Sequence, residues 1–413
     1  MSPARREVLS VAEYTAELLR LVRPDERSVR LGLPEASGRV LAAPVTSRVS
    51  IPAFTNSAMD GYAVRYAEVA EAPVTLRVVG EIAAGSPADP KVGPGECVRI
   101  MTGAALPTFA DTIVPVEDTD AGTERVLVST APARSGAHVR GAGSDIAAGD
   151  PIAAAGERLT PGLLGALAAA GHTRADVRVR PVVLVASTGD ELVADGSTLA
   201  RGQIHESNSA VLAAALARDG AEAVTGPPLR DQAEELAEWL DRNAGAADLV
   251  ILTGGASVGA YDVVRDVLIA HAGGTFRHVR MQPGKPQGWG LWPGGTPVVA
   301  LPGNPLSAAL SYEVLVRPML DRILGTRPRG DLTAVAAVGW ASPAGRQQLL
   351  PVRLSSAPDG RLLATPAHTG GSASHIVTSL ATADAIAVVA EDVTRVEQGE
   401  PVAVRLFTRL GTG

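Results

Sequence analysis

The sequence predicts a multi-domain α/β and β protein. Its centre is a doubly wound, mostly parallel α/β domain, flanked by an irregular α/β N-terminal domain with an inserted β-rich domain and by a C-terminal β-barrel-like domain. Three observations point there. Between Pro181 and Leu324, short apolar runs alternate with helical patterns, as in successive βαβ units. Three of those runs, VVLVASTGDEL (182–192), LVILTGGASVG (249–259) and VVALPGNP (298–305), break into small-residue loops with an acid or amide nearby. On both sides of this block the pattern shifts to short alternating runs punctuated by Gly, Pro and Asp, as in β-strands.

Taken in order, residues 10–22 read as a helix with a Ser10/Glu13 capping box, and 34–42 as a second short helix. The Pro-, Ser-, Asn- and Gly-dense stretch 47–65 reads as an irregular loop opening a new domain. From Val74 to Arg140 the pattern is β. A helix at 161–171 follows, with Pro161 in its first turn and Gly171 as its stop. The α/β block then gives strand 182–187, helix 209–219 (Asn208 as N-cap, Gly220 as stop), a strand near 222–225 and helix 232–243 capped by Asp231. Strand 249–253, helix 262–272, a strand near 275–281 leading into PGKPQGWG, strand 297–301 and helix 306–324 complete it. TRPRGD (326–331) reads as a linker, and the remainder is again strand-like. These changes divide the chain into 1–48 plus 147–180, 49–146, 181–326 and 327–413.

Composition narrows the function. A chain of 413 residues exceeds one compact core. A net charge of −7 with no basic face argues against nucleic acid. The single Cys97 excludes a disulfide framework and a Cys-rich metal site. No apolar run has transmembrane length and the N-terminus lacks a signal-peptide core, so no membrane association and a cytoplasmic location are expected.

In an open α/β sheet, ligands bind beyond the carboxyl ends of the parallel strands. The three small-residue loops are therefore expected to line one pocket for an anionic, phosphate-bearing ligand. Thr188 and Gly189 leave the first strand; Gly254, Gly255 and Ser257 leave the second, their backbone N–H groups able to approach phosphate oxygens. A tight turn without ligand is the plainer alternative. Pro302 and Pro305 stiffen the third loop around Gly303 and Asn304, and Ser307 lies in the next helical turn. Asp190 and Glu191 form an adjacent carboxylate pair suited to Mg2+, or simply a solvated acidic turn. Asp262 is either the N-cap of the following helix or a ligand. Lys285, after Gly284 and between two prolines, is the clearest local cation for an oxyanion. No two of the scattered histidines have i, i+4 spacing, so zinc is not expected; only His205 adjoins a candidate loop.

SAMDGYA (57–63), RIMTGAALP (99–107), GSDI (143–146), STGDEL (187–192), TGGASVG with Asp262, PGKP (283–286) and LPGNP (301–305) occur in that order. Over nearly its whole length the chain thus resembles the molybdopterin molybdenumtransferases, the MoeA family that includes the C-terminal domain of gephyrin. The resemblance implies an elongated homodimer of four-domain subunits. It implies transfer of molybdenum from molybdate to adenylylated molybdopterin, with release of AMP and help from Mg2+. It gives active-site roles to Asp60, Glu191, Asp231, Asp262 and Lys285, with Asp60, Thr102 and Asp145 reaching the partner subunit's pocket. It puts Mg2+ on Asp190, Glu191 and Asp262, and a hydroxyl near the oxyanion at Ser374. An adenylyltransferase and molybdoenzyme-maturation proteins are the partners it suggests.

Two positions depart from the family pattern. Gln282 and Pro351 stand where relatives often carry basic residues, leaving Arg280, Arg346 or Arg353 to compensate; His375 beside Ser374 is also unusual. These departures keep open a paralogue acting on tungstate. An adenylyltransferase-type enzyme and a non-enzymatic dimeric scaffold are the remaining alternatives.

Overall fold

The protein is described here by a computed structural model covering residues 8–254 and 262–407. A seven-stranded sheet runs through the centre in the order Val8–Leu9, Thr275–Val279, Pro286–Leu291, Pro297–Leu301, Leu249–Thr253, Val182–Ser187, Glu222–Thr225. Its core strands are apolar up to their last residues, Ser187 and Thr253, because helices cover both faces. Side chains alternate between the two faces, as a period of two requires. Val183, Val185, Leu249, Ile251, Val299 and Leu301 meet Leu212 and Leu216 of the Asn208–Asp219 helix on one face. Leu184, Ala186, Val250, Leu252, Val298 and Ala300 meet Leu236, Leu240, Val264 and Leu268 on the other.

The strands 182–187, 249–253 and 297–301 lie side by side and parallel. The chain steps outward from 182–187 to 222–225 and then returns to 249–253 on the opposite side, so the order reverses at 182–187. Such a reversal opens a crevice at the strand ends.

Four local expectations are corrected. Residues 34–42 are not a helix: Gly38 takes φ +70, and Val40 and Leu41 make isolated bridges to Arg158 and Val177. A residue in the left-handed region breaks a helix before it completes its turns. Stretch 47–65 is not all loop, since Gly61–Val64 is a buried strand of the five-stranded sheet Thr112–Pro115, Gly61–Val64, Glu96–Ile100, Val74–Ile82, Arg125–Val128. PGKPQGWG contributes a strand, Pro286–Leu291, antiparallel to both neighbours. Its glycines hide that role, because the space over Gly288 is taken by the Phe276 ring. Finally, the 306–324 helix is interrupted: Pro305–Ser311 and Arg317–Leu324 flank a π turn at Tyr312–Val316. Pro318 lacks an N–H and crowds the carbonyl one turn back, which a widened turn accommodates.

Residues 8–22 pack with the α/β section. Ser10 and Glu13 form the capping box, and Val11, Tyr14, Leu18 and Val22 share its core with Leu315, Met319 and Leu320. In the C-terminal part, Gln347–Ser356, Leu362–Pro366, Leu332–Ala336, Pro401–Leu406 and Ala385–Val389 pair in sequence and close on themselves as a five-stranded barrel.

A buried ionic cluster fastens the barrel's linker to the α/β section. Asp219 accepts from Arg218 at 2.6 Å and from the Tyr312 hydroxyl at 2.9 Å, and it also pairs with Arg329. Glu313 bridges Arg218 and Arg317, each at 2.7 Å. Removing one partner from such a cluster strands the opposite charges in low dielectric. Asp219→Ala is therefore expected to cost about 3–5 kcal/mol, read as a lower urea midpoint with unchanged slope; an unaltered midpoint would show that the cluster carries no net stability.

Candidate functional site

The three strand exits touch. Thr188 N–H donates to Thr253 O at 2.8 Å, prolonging the ladder past the sheet edge. Gly254 takes φ +94, and a Cβ there would stand 2.4 Å from Thr188 O. A Cβ on Gly303 would stand 3.2 Å from the Gly254 Cα. Only residues without side chains let three backbones approach this closely. The Asn208 amide fixes the arrangement: Nδ2 donates to Thr253 Oγ1 at 3.2 Å and to Gly303 O at 2.8 Å. Asn208 is thus the first residue of its helix rather than its N-cap, and its side chain serves the strand exits instead.

Around this junction lies a cavity of about 360 Å3 whose lining includes Thr188, Glu191, Asp231, Gly254, Asp262, Gly303 and Asn304. Asp231 arrives from far along the chain because the Leu229 segment is zipped onto the first strand exit. Leu229 N donates to Ser187 O at 2.9 Å, and Gly189 N to Leu229 O at 3.1 Å. Asp231 N then donates to Asp190 Oδ1 at 3.3 Å. The expectation that Asp231 caps the next helix is corrected: that helix, Ala233–Asn243, begins after Gln232, and its start has no side-chain cap.

The acids here are electrostatically crowded. Desolvation, then the charges of Asp190 and Glu191, raise the Asp231 carboxyl above its ordinary value. Asp262 is only 4% exposed and does cap its helix, accepting from Arg265 N at 3.1 Å through Oδ1. Its other oxygen is buried without a partner among the described residues. Burial pushes this carboxyl up to about 6. Among the described residues, no three His, Cys, Asp or Glu side chains are gathered at metal-ligand spacing.

A second cavity, of about 490 Å3, shares Gly303 and Asn304 with the first. It carries Gly284, Lys285, Pro302, Ser307, Arg346, Ser374 and His375, and no acid is among its lining residues. The Lys285 loop is pinned from below: Gln287 Nε2 donates to Gly284 O and to Ser311 Oγ, both at 2.7 Å. The C-terminal barrel supplies the opposite wall. Met281–Gln282 pairs with Gln347–Gln348, and Asn304 Nδ2 donates to Ser374 Oγ at 2.9 Å.

The question of compensation at Gln282 has a geometric answer. Arg346 lines the cavity and donates to Gln282 Oε1 at 2.9 Å. Arg280 is occupied elsewhere, by Glu391 at 2.6 Å and Val8 O at 2.8 Å, while Arg353 lines neither cavity.

The structure therefore brings Thr188, Glu191, Asp231, Gly254 and Asp262 together, and joins them through Gly303 and Asn304 to Gly284, Lys285, Pro302 and Ser374. Pro305 lines the first cavity, with Gly189 and Asp190 flanking it. Asp60, Thr102 and Asp145 line neither cavity and are exposed. Asp60 Oδ1 accepts from both the Thr102 N–H and its hydroxyl, each at 2.7 Å, while Asp145 N donates to Ile51 O at 2.9 Å. Gly255 and Ser257 lie outside the described residues. Glu206 was not marked by the sequence, and Asn208 was marked only as an N-cap. Glu206 bonds Ser187 Oγ at 2.8 Å and Ser209 N at 2.9 Å; the one hint was the polar run HESNS following the first strand.

Comparison with known proteins agrees with this layout. Residues 9–171 match the family model described as the MoeA N-terminal region (domain I and II), 184–322 the probable molybdopterin binding domain, and 333–407 the MoeA C-terminal region (domain IV). A relative named molybdopterin molybdenumtransferase 2, from Mycobacterium tuberculosis, is 40% identical over 97% of this chain and 99% of its own. A molybdopterin molybdenumtransferase of Haemophilus influenzae is 29% identical over 98% of this chain and 100% of its own. The crystal structure of a molybdopterin biosynthesis MoeA protein from Pyrococcus horikoshii superposes with a TM-score of 0.79 at 32% identity, covering 98% of this chain and 100% of that one.

The raised Asp262 carboxyl gives a signed expectation. The folded state holds that proton up to about pH 6, whereas an unfolded Asp releases it near about pH 4. The folded state thus binds more protons in that window, and stability falls as pH rises through it. Asp262→Asn, which keeps a good cap, is expected to flatten this slope and to stabilise the protein above pH 6 by on the order of 2 kcal/mol. Urea unfolding of both proteins at pH 4, 6 and 8 checks it; parallel curves would refute it.

Proposed function

The chain belongs to the molybdopterin molybdenumtransferase family, and we propose that its two-part crevice transfers molybdenum from molybdate to adenylylated molybdopterin, releasing AMP. One observation carries this reading. An acid-lined cavity and a cation-lined cavity meet at the shared lip Gly303–Asn304. A substrate with a pterin dithiolene at one end and a phosphoanhydride at the other needs such a divided site. Glycine-bounded backbone at Thr188–Gly189, Gly254 and Gly303 approaches the phosphates. Lys285 and Arg346, with the Ser374 hydroxyl, hold the molybdate oxyanion, Pro302 and Pro305 keeping the lip rigid.

The acids fit Mg2+ as a phosphate-dependent ligand set. Mg2+ commonly takes one or two carboxylates, with substrate phosphates and waters completing its shell. Asp262 offers a buried oxygen without a described partner, Glu191 lines the same cavity with an exposed carboxylate, and the exposed Asp190 precedes it. Bound there, Mg2+ would offset charge on the phosphoanhydride. Asp231, Glu191 and Asp262 orient that end, Asp262 keeping its helix cap through Oδ1.

We further infer a homodimer of four-domain subunits, divided as 1–48 plus 147–180, 49–146, 181–326 and 327–413, in which Asp60, Thr102 and Asp145 complete the partner subunit's crevice. The exposure of all three and the hydrogen bonds joining Asp60 to Thr102 support this. A cytoplasmic location suits such a biosynthetic enzyme; among the described residues no helix is long and apolar enough to cross a membrane.

Purified protein given adenylylated molybdopterin, Mg2+ and molybdate is expected to release AMP and yield the loaded cofactor. Glu191→Gln should lower kcat about 100-fold, and Lys285→Ala should chiefly raise the KM for molybdate. Absence of AMP release from the wild type would overturn the assignment, and an unchanged molybdate KM in Lys285→Ala would remove its assigned role. Co-refolding inactive Asp60→Asn with inactive Glu191→Gln tests the shared site. Random pairing makes half the dimers mixed, each with one intact site, so about a quarter of wild-type activity should return; none returning would place both residues in one subunit's site.

A further inference from the structure

Away from the crevice, five arginines face one small cavity. Arg39, Arg158, Arg178, Arg180 and Arg218 line a space of about 150 Å3 where the Ser37–Val40 turn meets the end of the Asn208–Asp219 helix. Among the described residues, no carboxylate lines it. Arg218 is neutralised by Asp219 at 2.6 Å and Glu313 at 2.7 Å. Two others, Arg39 and Arg178, are positioned by carbonyls, which orient a guanidinium without cancelling its charge. Arg39 donates to Arg178 O at 2.7 Å and Arg178 to Asp25 O at 2.7 Å. Arg158 donates to Gly38 O at 2.7 Å and to Asp219 O at 3.0 Å. The Asp25 carboxylate, which acts on Arg178 through space, is already paired with Arg27 at 2.7 Å. Burial, then the charge of Arg180, holds the Arg39 guanidinium below its ordinary value. The wall is shaped for this approach: a Cβ on Gly220, at φ +96, would stand 3.1 Å from Arg158 Nη1.

We propose that this cavity is a second anion site, binding a tetrahedral oxyanion of the phosphate or sulfate class, free or as the terminal phosphate of a small molecule. Converging positive groups in a partly desolvated pocket are held at a cost that a dianion removes. Guanidinium forks match the paired oxygens of such an ion. The space is several times the roughly 30 Å3 share of a liquid water, enough for one ion with a water but too small for a pterin. A bound ion joins the 37–40 and 158–180 segments to the α/β section, and so stiffens their junction. This inference does not depend on the function proposed for the crevice.

The test is calorimetric titration of the full chain with inorganic phosphate, sulfate and methyl phosphate in a chloride background. The titration uses wild type and Lys285→Gln, which removes the crevice's own lysine. Saturable phosphate or sulfate binding that survives in Lys285→Gln is expected. Adding Arg180→Gln should weaken it at least tenfold, Arg39→Gln similarly, and Arg180→Lys less than Arg180→Gln. Arg180 is exposed, so its variants keep the test readable if Arg39→Gln fails to fold. Methyl phosphate binding as well as phosphate would assign the site to a phosphomonoester terminus, and its exclusion to the free ion. No saturable binding in Lys285→Gln, or equal affinity after Arg180→Gln, would overturn the proposal.

Discussion

Everything in the crevice depends on three backbones meeting without side chains between them. Neighbouring strands are spaced by their hydrogen bonds, and side chains at their exits ordinarily push the following loops apart. Here Gly254 sits against the Thr188 carbonyl and Gly303 against Gly254. Asn208, from the helix after the first strand, closes the junction by bonding the second and third exits at once. The floor of the site is therefore set by the sheet, and only its rim by loops. A site on rigid elements is held more accurately than one on loops alone.

Charge is sorted across that floor. Asp231, Glu191, Glu206 and Asp262 line one cavity; Lys285, Arg346 and His375 line the other. In open water solvent would screen such charges. In the crevice burial raises Asp262 to about 6, and burial followed by the charges of Asp190 and Glu191 raises Asp231. The acidic half thus resists further negative charge until a cation accompanies it, whereas the basic half attracts an oxyanion directly. One ligand bearing both needs can satisfy both halves only by lying across Gly303–Asn304.

Much of this was legible in the sequence, and what was missed has physical causes. Apolar runs ending in small-residue loops announced the strands at 182–187, 249–253 and 297–301, because a doubly covered strand is apolar along nearly its whole length. Residues 34–42 misled because helix propensity is local, while Gly38's left-handed backbone and the bridges of Val40 and Leu41 depend on the packed neighbours. Strand 286–291 was obscured because Gly288 and Gly290 serve the packing of Phe276 and Ala272 rather than a turn. Asp231 passed for a cap since caps and site acids share one residue type. The division of the site into two cavities could not be read from spacing, because it depends on where the barrel wall stands.

That wall explains how the chain manages without a basic residue at position 282. Met281–Gln282 adds in parallel to the barrel's Gln347–Gln348 strand with Gln282 opposite Gln348, so residue 346, two places back on the same face, is a diagonal neighbour of Gln282. Arg346 occupies that place, and the Gln282 amide oxygen accepts its guanidinium at 2.9 Å. A basic residue at 282 would instead repel Arg346 across the short gap. Glutamine at 282 and arginine at 346 are thus one solution: the charge is carried by the barrel strand, and the amide aims it. The cation then moves with the barrel, whose orientation is fixed by Arg329 on Asp219 and by Asn304 on Ser374. The cation-lined end of the crevice is consequently built from two sections of the chain, while its acidic end is built from one.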